Sequence, residues 1–136
     1  MPSAAEISRI LKSVHTIAMV GASDKPGRDS HHVMLFLQNK GYRVIPVNPA
    51  LAGATLLGET VYACLRDIPL PVDMVDIFRR PDAVPDIVDK AIAIGAGVVW
   101  MQLGVIHEQA AQKASDAGLK VVMDRCPKIE ITRLGL

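Results

Sequence analysis

Short apolar runs alternate along the chain with longer segments in which apolar residues recur every three or four positions. The short runs predict strands at 17–20, 42–47, 72–78, 97–101 and 120–123. The longer segments predict helices at 30–40, 83–94 and 108–117, preceded by a leading helix that starts at the capping-box pattern Ser3-Ala-Ala-Glu6. The central strands are largely apolar, which is typical of strands covered on both faces.

This alternation of strands and helices predicts an α/β fold. We expect residues 1–136 to form a single three-layer, doubly wound Rossmann-like domain with a five-stranded, mainly parallel sheet. Residues 1–15 hold the leading helix, and residues 128–136 form a C-terminal tail with a last turn of helix. Segment 50–58 reads as irregular, whereas 59–65 fits either a short strand or a helical turn.

Charge and composition argue against several classes of binding partner. Lys and Arg number 15 against 14 Asp and Glu, so no broad field is available for nucleic acid or anionic lipid. One Trp, two Tyr and two Phe supply few stacking surfaces for bases. The two cysteines lack zinc-ligand spacing, and neither a signal peptide nor a membrane span is recognisable. We therefore expect a cytoplasmic protein that binds neither nucleic acid nor membrane.

The loop after the first strand has the setting of a phosphate site. In open α/β sheets, ligands bind outside the carboxyl ends of the strands. Gly21-Ala22-Ser23 lies between a strand and a helix, Arg28 adds a cation, and Ser30 is the predicted N-cap. Ser23 stands where a dinucleotide fingerprint has its second glycine, and its hydroxyl can bind phosphate instead. The alternative is that Gly21 only permits a tight turn.

The next two strand ends bear on the choice of cofactor. A nicotinamide site usually has an acid after the second strand, but here that strand ends in Asn48-Pro49. An uncharged end fits a phosphorylated ribose better than NAD, and NADP stays open on this point. The third strand ends in Phe78-Arg79-Arg80, where one arginine can reach phosphate while the other lies in solvent or pairs with Asp82.

No catalytic or metal-binding pattern is recognisable. The four histidines lack ligand spacing, and Cys126 is interpreted as a passive thiol rather than a nucleophile. We therefore expect no catalytic residues, no metal and no enzymatic activity.

Five sequence blocks taken together resemble a known family. They are Val20–Pro26, Val44–Pro49, Val75–Arg80, Val99–Gly104 and Val122–Cys126. In this order they resemble the stand-alone bacterial CoA-binding proteins of the Rossmann type, which are related to the CoA-binding domain at the start of the succinyl-CoA synthetase α subunit. The resemblance covers residues 7–134.

The resemblance implies a position for each part of coenzyme A (CoA). The phosphates would lie at Gly21, Ala22, Ser23, Arg28 and Ser30. The adenosine would lie by Asn48, Pro49, Phe78, Arg79 and Arg80, and the pantetheine would border Gln102 and Gly104.

We therefore expect a non-catalytic module that binds CoA or an acyl-CoA as its small-molecule ligand, as a homodimer or with an unknown protein partner. The alternatives are an NAD(P)-binding oxidoreductase-like protein and an interaction protein that has lost its ligand.

Overall fold

The computed structural model describes residues 2–136, which form a sheet, a small hairpin and the helices that cover the sheet. The strands are β1 (Thr16–Val20), β2 (Arg43–Val47), β3 (Thr55–Leu56), β4 (Glu59–Thr60), β5 (Met74–Ile77), β6 (Val98–Met101) and β7 (Lys120–Val122). The helices are α1 (Ala4–Ser13), α2 (Asp29–Asn39), α3 (Val84–Ala93), α4 (Glu108–Asp116) and α5 (Pro127–Leu134). Short 3₁₀ turns span Pro49–Leu51, Leu65–Asp67 and Pro81–Ala83.

The main sheet has the order β2-β1-β5-β6-β7, and every neighbouring pair is parallel. This confirms the predicted five-stranded parallel sheet. The chain first adds β2 on one side of β1 and then continues on the other side with β5, so the winding direction reverses between β1 and β5. Doubly wound sheets bind their ligands at such a switch point.

Side chains alternate between two cores, one on each face of the sheet. Ile17 and Met19 pack with α1, α2 and α5, whereas Ala18 and Val20 pack with α3 and α4. The three-layer prediction is confirmed, and Trp100 and Met101, both 0% exposed, anchor the centre of the sheet. Within residues 2–136, no helix is long and apolar enough to cross a membrane.

Three segments differ in detail from the expectations. In segment 59–65, the strand β4 comes first and a 3₁₀ turn begins at Leu65. Strand β4 forms a hairpin with β3 across Leu57 and Gly58, so part of the segment 50–58, expected to be irregular, is a strand. Both turn residues have positive φ, 48° and 83°, which is the geometry of a tight two-residue turn. Helix α2 begins at Asp29 with Arg28 as its N-cap, so Ser30 is a buried residue of the first turn and not the cap.

The predicted C-terminal tail is a full helix, α5. Pro127 suits the first turn because its missing N–H would have had no helical partner. Ile131 is buried in the core that α5 shares with α1 and α2, and Gly135 ends the helix with a φ of 70°. Helix α5 therefore forms part of the layer that covers the sheet, a role that the short, partly polar sequence does not reveal.

Candidate ligand-binding site

Four loops leave the sheet side by side. In the register of the sheet, Val20 lies beside Val47 on one side and Ile77 on the other, and Ile77 lies beside Met101. Since each of these residues ends its strand, Gly21, Asn48, Phe78 and Gln102 all emerge at the same edge of the sheet. The register thus brings together residues that are distant in the sequence. Gly21 and Gln102, for example, are 81 positions apart.

Gly21 is required by the packing of the loops themselves. Its φ is 93°, and a Cβ atom at this position would lie 2.5 Å from the carbonyl oxygen of Phe78. Its N–H donates to the carbonyl of Val47 at 2.9 Å, and the N–H of Phe78 donates to Val20 at 2.8 Å. The close approach of two chain segments therefore explains this glycine without a ligand.

A polar cavity of about 510 Å³, which we call the central cavity, lies over the start of α2. Its lining consists of Gly21, Ala22, Ser23, Gly27, Arg28, Asp29, Ser30, Asn48, Phe78 and Arg79. The N-terminus of α2 offers backbone N–H groups and a positive helix-dipole end, both of which favour an anion. The carboxylate of Asp29 opposes this preference, so the cationic side chains of Arg28 and Arg79 matter for the local balance.

Asn48 holds the first loop in place. Its Nδ2 donates to the carbonyl of Ala22 at 2.9 Å, while its Oδ1 accepts the N–H of Ala50 at 2.9 Å. The side chain therefore joins the ends of β1 and β2. In the same loop, Ser23 Oγ accepts the N–H of Lys25 at 3.1 Å, which leaves the hydroxyl proton available to a ligand.

A smaller, apolar cavity of about 210 Å³, which we call the first arm, extends from the central cavity toward α3. It shares Gly21 and Arg79 with the central cavity. Its other lining residues are Val20, Val47, Pro49, Ala63, Cys64, Leu65, Ala83, Asp86, Ile87 and Lys90. Apart from Pro49, none of them was among the predicted site residues. Ala63, Cys64 and Leu65 come from segment 59–65, for which the sequence pattern left a short strand or a helical turn open.

A larger cavity of about 640 Å³, which we call the second arm, extends from the central cavity toward α5. It shares Asp29, Phe78 and Arg79 with the central cavity. Its remaining lining residues are His32, Val33, Arg80, Pro81, Gln102, Leu103, Gly104, Val105, Cys126, Lys128 and Ile129. Arg80 therefore lies with Gln102 and Gly104, and not with Asn48 and Pro49, where the resemblance implied it.

The two adjacent arginines have different surroundings. Arg80 pairs with Asp82 at 3.5 Å, and its side chain is 84% exposed. Arg79 lines the central cavity and both arms, and within residues 2–136 its guanidinium has no hydrogen-bond or ion-pair partner. Arg79 is therefore the arginine that lines the central cavity, and Arg80 is the one that pairs with Asp82. Contact of either arginine with a phosphate stays a prediction.

Gln102 lines the second arm but is largely buried. The residue is 7% exposed, and its Oε1 oxygen is buried without a hydrogen-bond partner within residues 2–136. The next loop supports this region, since Asp124 Oδ1 accepts the N–H of Gly104 at 2.7 Å. Asp124 has a φ of 60°, a conformation that Asp tolerates better than most residues. Buried acceptors without partners are uncommon in folded proteins.

A buried carboxyl lies in β5, one residue before the end of the strand. Asp76 is 0% exposed and, in the sheet register, stands between Met19 and Trp100. Burial raises its pKa well above the usual range of a carboxyl, and neither oxygen has a hydrogen-bond partner within residues 2–136. The protonated form is therefore favoured in the folded protein.

The structure brings the predicted site residues together around three neighbouring cavities that share lining residues. Gly21, Ala22, Ser23, Arg28, Ser30 and Asn48 line the central cavity, Pro49 lines the first arm, and Gln102, Gly104 and Arg80 line the second. Their contacts with a ligand stay a prediction. Within residues 2–136, no group of three or more His, Cys, Asp or Glu side chains is placed to hold a metal ion.

Fold and site together define a doubly wound α/β protein with an elongated crevice at its switch point. Comparison with protein families identifies the family of this α/β protein. A family model described as a CoA binding domain matches residues 15–132. The chain belongs to this family of CoA-binding domains.

Several relatives share almost the whole chain. The uncharacterised protein YneT of Bacillus subtilis (strain 168) is 41% identical over 128 residues, which cover 94% of this chain and 93% of that protein. The structure of cell-free ID.343 from Thermus thermophilus superposes with a TM-score of 0.93 at 40% identity, covering 98% of this chain and 99% of that one. A hypothetical protein from Pyrococcus horikoshii OT3 gives 0.94 at 40% identity, with 99% and 94% covered. The family resemblance inferred from the five sequence blocks is confirmed.

Proposed function

We propose that this protein is a non-catalytic binding module for CoA or an acyl-CoA. The diphosphate occupies the central cavity, the adenosine occupies the first arm and the pantetheine extends into the second arm. The observation on which the proposal rests is that Arg79, a cation without a partner within residues 2–136, lines all three neighbouring cavities. Membership of the CoA-binding family supports this choice of ligand.

The shape and polarity of the crevice support an elongated ligand with a charged middle. The central cavity combines the N-terminus of α2 with the cations of Arg28 and Arg79, a combination that suits a diphosphate. The first arm is lined largely by apolar residues such as Val47, Leu65 and Ile87, as a purine ring requires. The second arm is lined by Gln102 and Gly104, the two residues expected to border the pantetheine.

The end of β2 supports CoA over a nicotinamide cofactor. Asn48 occupies the position where an acid would bind the ribose hydroxyls of NAD, and both polar groups of its side chain are engaged by Ala22 and Ala50. A neutral residue here does not repel the ribose phosphate of CoA. NADP also carries a ribose phosphate, so it is included as a competing ligand in the experiment below.

The proposal gives the polar side chains of the second arm a binding role. Asp29 and His32 both line this arm from α2, and no hydrogen bond joins them. The proposal assigns neither of them to general acid–base catalysis.

Isothermal titration of the freshly purified protein with CoA tests this proposal. We expect saturable binding of CoA that exceeds the binding of NADP⁺. The Arg79→Ala variant should lose about 1.5–3 kcal/mol of binding free energy, or about 10- to 100-fold in affinity, because a charge-assisted contact is removed. Arg80→Ala is the matched control and should bind CoA nearly as well as the wild type, because Arg80 is exposed and paired with Asp82.

Two results would contradict the proposal. One is the absence of CoA binding to protein whose circular dichroism spectrum shows that it is folded, which would favour an interaction protein. The other is tighter binding of NADP⁺ than of CoA. Native mass spectrometry of the same sample supplies an independent readout, because a CoA species that co-purifies would appear as an added mass.

A further inference from the structure

The second arm includes aliphatic residues that are exposed to solvent. Leu103, in the loop after β6, is 53% exposed, and Ile129, in the first turn of α5, is 43% exposed. Both residues line the second arm, but neither lines the central cavity or the first arm. They therefore lie away from the junction of the cavities at Arg79, and two elements distant in the sequence contribute them to one outer part of the arm.

The exposed aliphatic residues of the protein are concentrated in this region. Within residues 2–136, the large apolar residues that are clearly exposed are Leu35, Leu103, Ile106 and Ile129. Two of these four line the second arm, and Ile106 belongs to the same loop as Leu103. Single exposed apolar residues are common on protein surfaces, whereas several that cluster at a cavity indicate a binding surface. A ligand that covers them gains free energy in proportion to the apolar area removed from water.

The charges of the second arm favour an uncharged group at this position. Arg80 pairs with Asp82 at 3.5 Å, and the ammonium group of Lys128 lies 5.6 Å from the centre of the Phe36 ring, which does not line this arm. Asp29, which does line the arm, repels an anion. Within residues 2–136, the outer part of the arm therefore offers no unengaged Lys or Arg to a chain that ends in a carboxylate.

The size of the second arm suits a ligand longer than pantetheine alone. Its volume of about 640 Å³ is about three times the 210 Å³ of the first arm, which the proposed function assigns to the adenosine. Pantetheine starts at the diphosphate, so its thiol is the part farthest from the central cavity. A group attached to this thiol would therefore reach the outer part of the arm, which Leu103 and Ile129 line.

We propose that Leu103 and Ile129 bind the aliphatic chain of an acyl-CoA, and that the preferred ligand is a CoA thioester with an uncharged acyl chain rather than free CoA. This inference rests on the proposed function, because binding of the diphosphate near Arg79 would direct the pantetheine into the second arm. Leu103 and Ile129 are then specificity-determining residues, which allow the protein to distinguish acylated from free CoA.

Isothermal titration with straight-chain acyl-CoA thioesters tests the inference. Affinity should rise about two- to fourfold for each methylene group from acetyl-CoA to hexanoyl-CoA, because each group leaves water on binding. The heat-capacity change of binding should become more negative along the series, since more apolar surface is buried. Succinyl-CoA should bind more weakly than butanoyl-CoA, whose acyl chain has the same number of carbons but no carboxylate.

Alanine variants test the two residues, with Leu35→Ala as the matched control. Leu35 is 43% exposed, like Ile129, but it lies on α2 and does not line the second arm. Leu103→Ala and Ile129→Ala should each lower the ratio of hexanoyl-CoA affinity to free CoA affinity about three- to tenfold. Leu35→Ala should leave this ratio unchanged.

The outcomes separate this inference from the proposed function. Wild-type protein that binds free CoA and hexanoyl-CoA equally well would overturn this inference alone, as would an equal fall of the affinity ratio in Leu35→Ala. Protein that binds neither ligand would overturn the proposed function as well. If Leu103 and Ile129 instead form an interface between copies of the chain, their alanine variants would change the oligomeric state in analytical ultracentrifugation and not the affinity ratio. That result would also overturn the inference.

Discussion

The two ends of the parallel sheet differ in whether their polar side chains have hydrogen-bond partners. At the amino end, Asp73 Oδ2 accepts the N–H of His15 at 2.9 Å and that of Thr16 at 3.0 Å, which joins the start of β1 to the start of β5. At the carboxyl end, the guanidinium of Arg79 lines the cavities and has no partner within residues 2–136. The satisfied carboxylate of Asp73 serves the fold, whereas the unpaired guanidinium of Arg79 is available to a ligand.

The carboxyl end also contains polar groups that are fully used. Asn48 joins the first two loops through Ala22 and Ala50, and Asp124 holds the N–H of Gly104. At the site, one set of polar side chains thus holds the loops in place, and a second set has no partner within residues 2–136 and can contact a ligand. Binding geometry is better defined when supporting contacts of this kind fix the loops.

Two carboxyls, one directly before β5 and one within it, have pKa values that are shifted in opposite directions. The backbone N–H of Thr16, and then that of His15, lowers the pKa of Asp73. Burial without a partner raises the pKa of Asp76. Asp73 therefore favours folding in its charged form, and Asp76 favours folding in its neutral form.

The largest expected effect concerns the close contact at the carboxyl end. Gly21→Ala should lower the free energy of unfolding by about 2–5 kcal/mol, because it adds backbone strain and a clash with Phe78. Gly118→Ala is the matched control, since Gly118 has a φ of 91° but a Cβ added there would meet no atom within 4 Å. This variant should lower the free energy of unfolding by only about 1–2 kcal/mol, which is the cost of the backbone strain alone. Equal losses in urea denaturation would show that the contact with Phe78 contributes nothing.

The next effect is the pH dependence due to Asp76. Above the unfolded-state pKa of about 4, the unfolded chain loses this proton while the folded protein keeps it, so stability falls by up to about 1.4 kcal/mol per pH unit until the raised folded pKa is reached. Asp76→Asn should remove this slope. Urea denaturation from pH 4 to 8 measures it, with the exposed Asp82→Asn as control. A slope that persists in Asp76→Asn would contradict the assignment.

At the amino end, Asp73→Ala should destabilise the protein by about 1–3 kcal/mol at pH 7, because two backbone N–H groups lose their acceptor. The contribution of Asp73 is present above pH 4 and is lost as the pH falls through its lowered folded pKa. Denaturation curves of wild type and variant should therefore converge in acid. CoA affinity should not change. A loss of affinity would contradict the proposal that the amino end of the sheet supports only the fold and the carboxyl end binds the ligand.

The smallest effect is expected at Asp124. Asp124→Ala removes the acceptor of the Gly104 N–H and should cost about 1 kcal/mol of stability. Asp124→Asn keeps an acceptor and tolerates the positive φ, so it should lie within about 0.5 kcal/mol of the wild type. If Asn proves as harmful as Ala in thermal denaturation, the charge of Asp124 matters and the neutral hydrogen bond does not suffice.

Local sequence patterns account for most of the fold. The five apolar strands and the helices between them follow from side-chain periodicity, and the rule for open α/β sheets points to the loops at Gly21, Asn48, Phe78 and Gln102. The pattern fails at α5, because a short helix with several polar residues resembles a tail until Ile131 packs against α1 and α2. It also fails to resolve the β3–β4 hairpin, since each strand has only two residues.

The sequence by itself thus determined the fold class, the family and the edge of the sheet that carries the site. Only the tertiary structure decided which arginine faces the crevice, because the directions of Arg79 and Arg80 depend on the path of the chain after β5. It also decided that Leu65 and Ile87, from separate elements, close the first arm, and that Cys126 and Gln102 share the second. Cavities form between segments distant in sequence, so no local pattern specifies their lining.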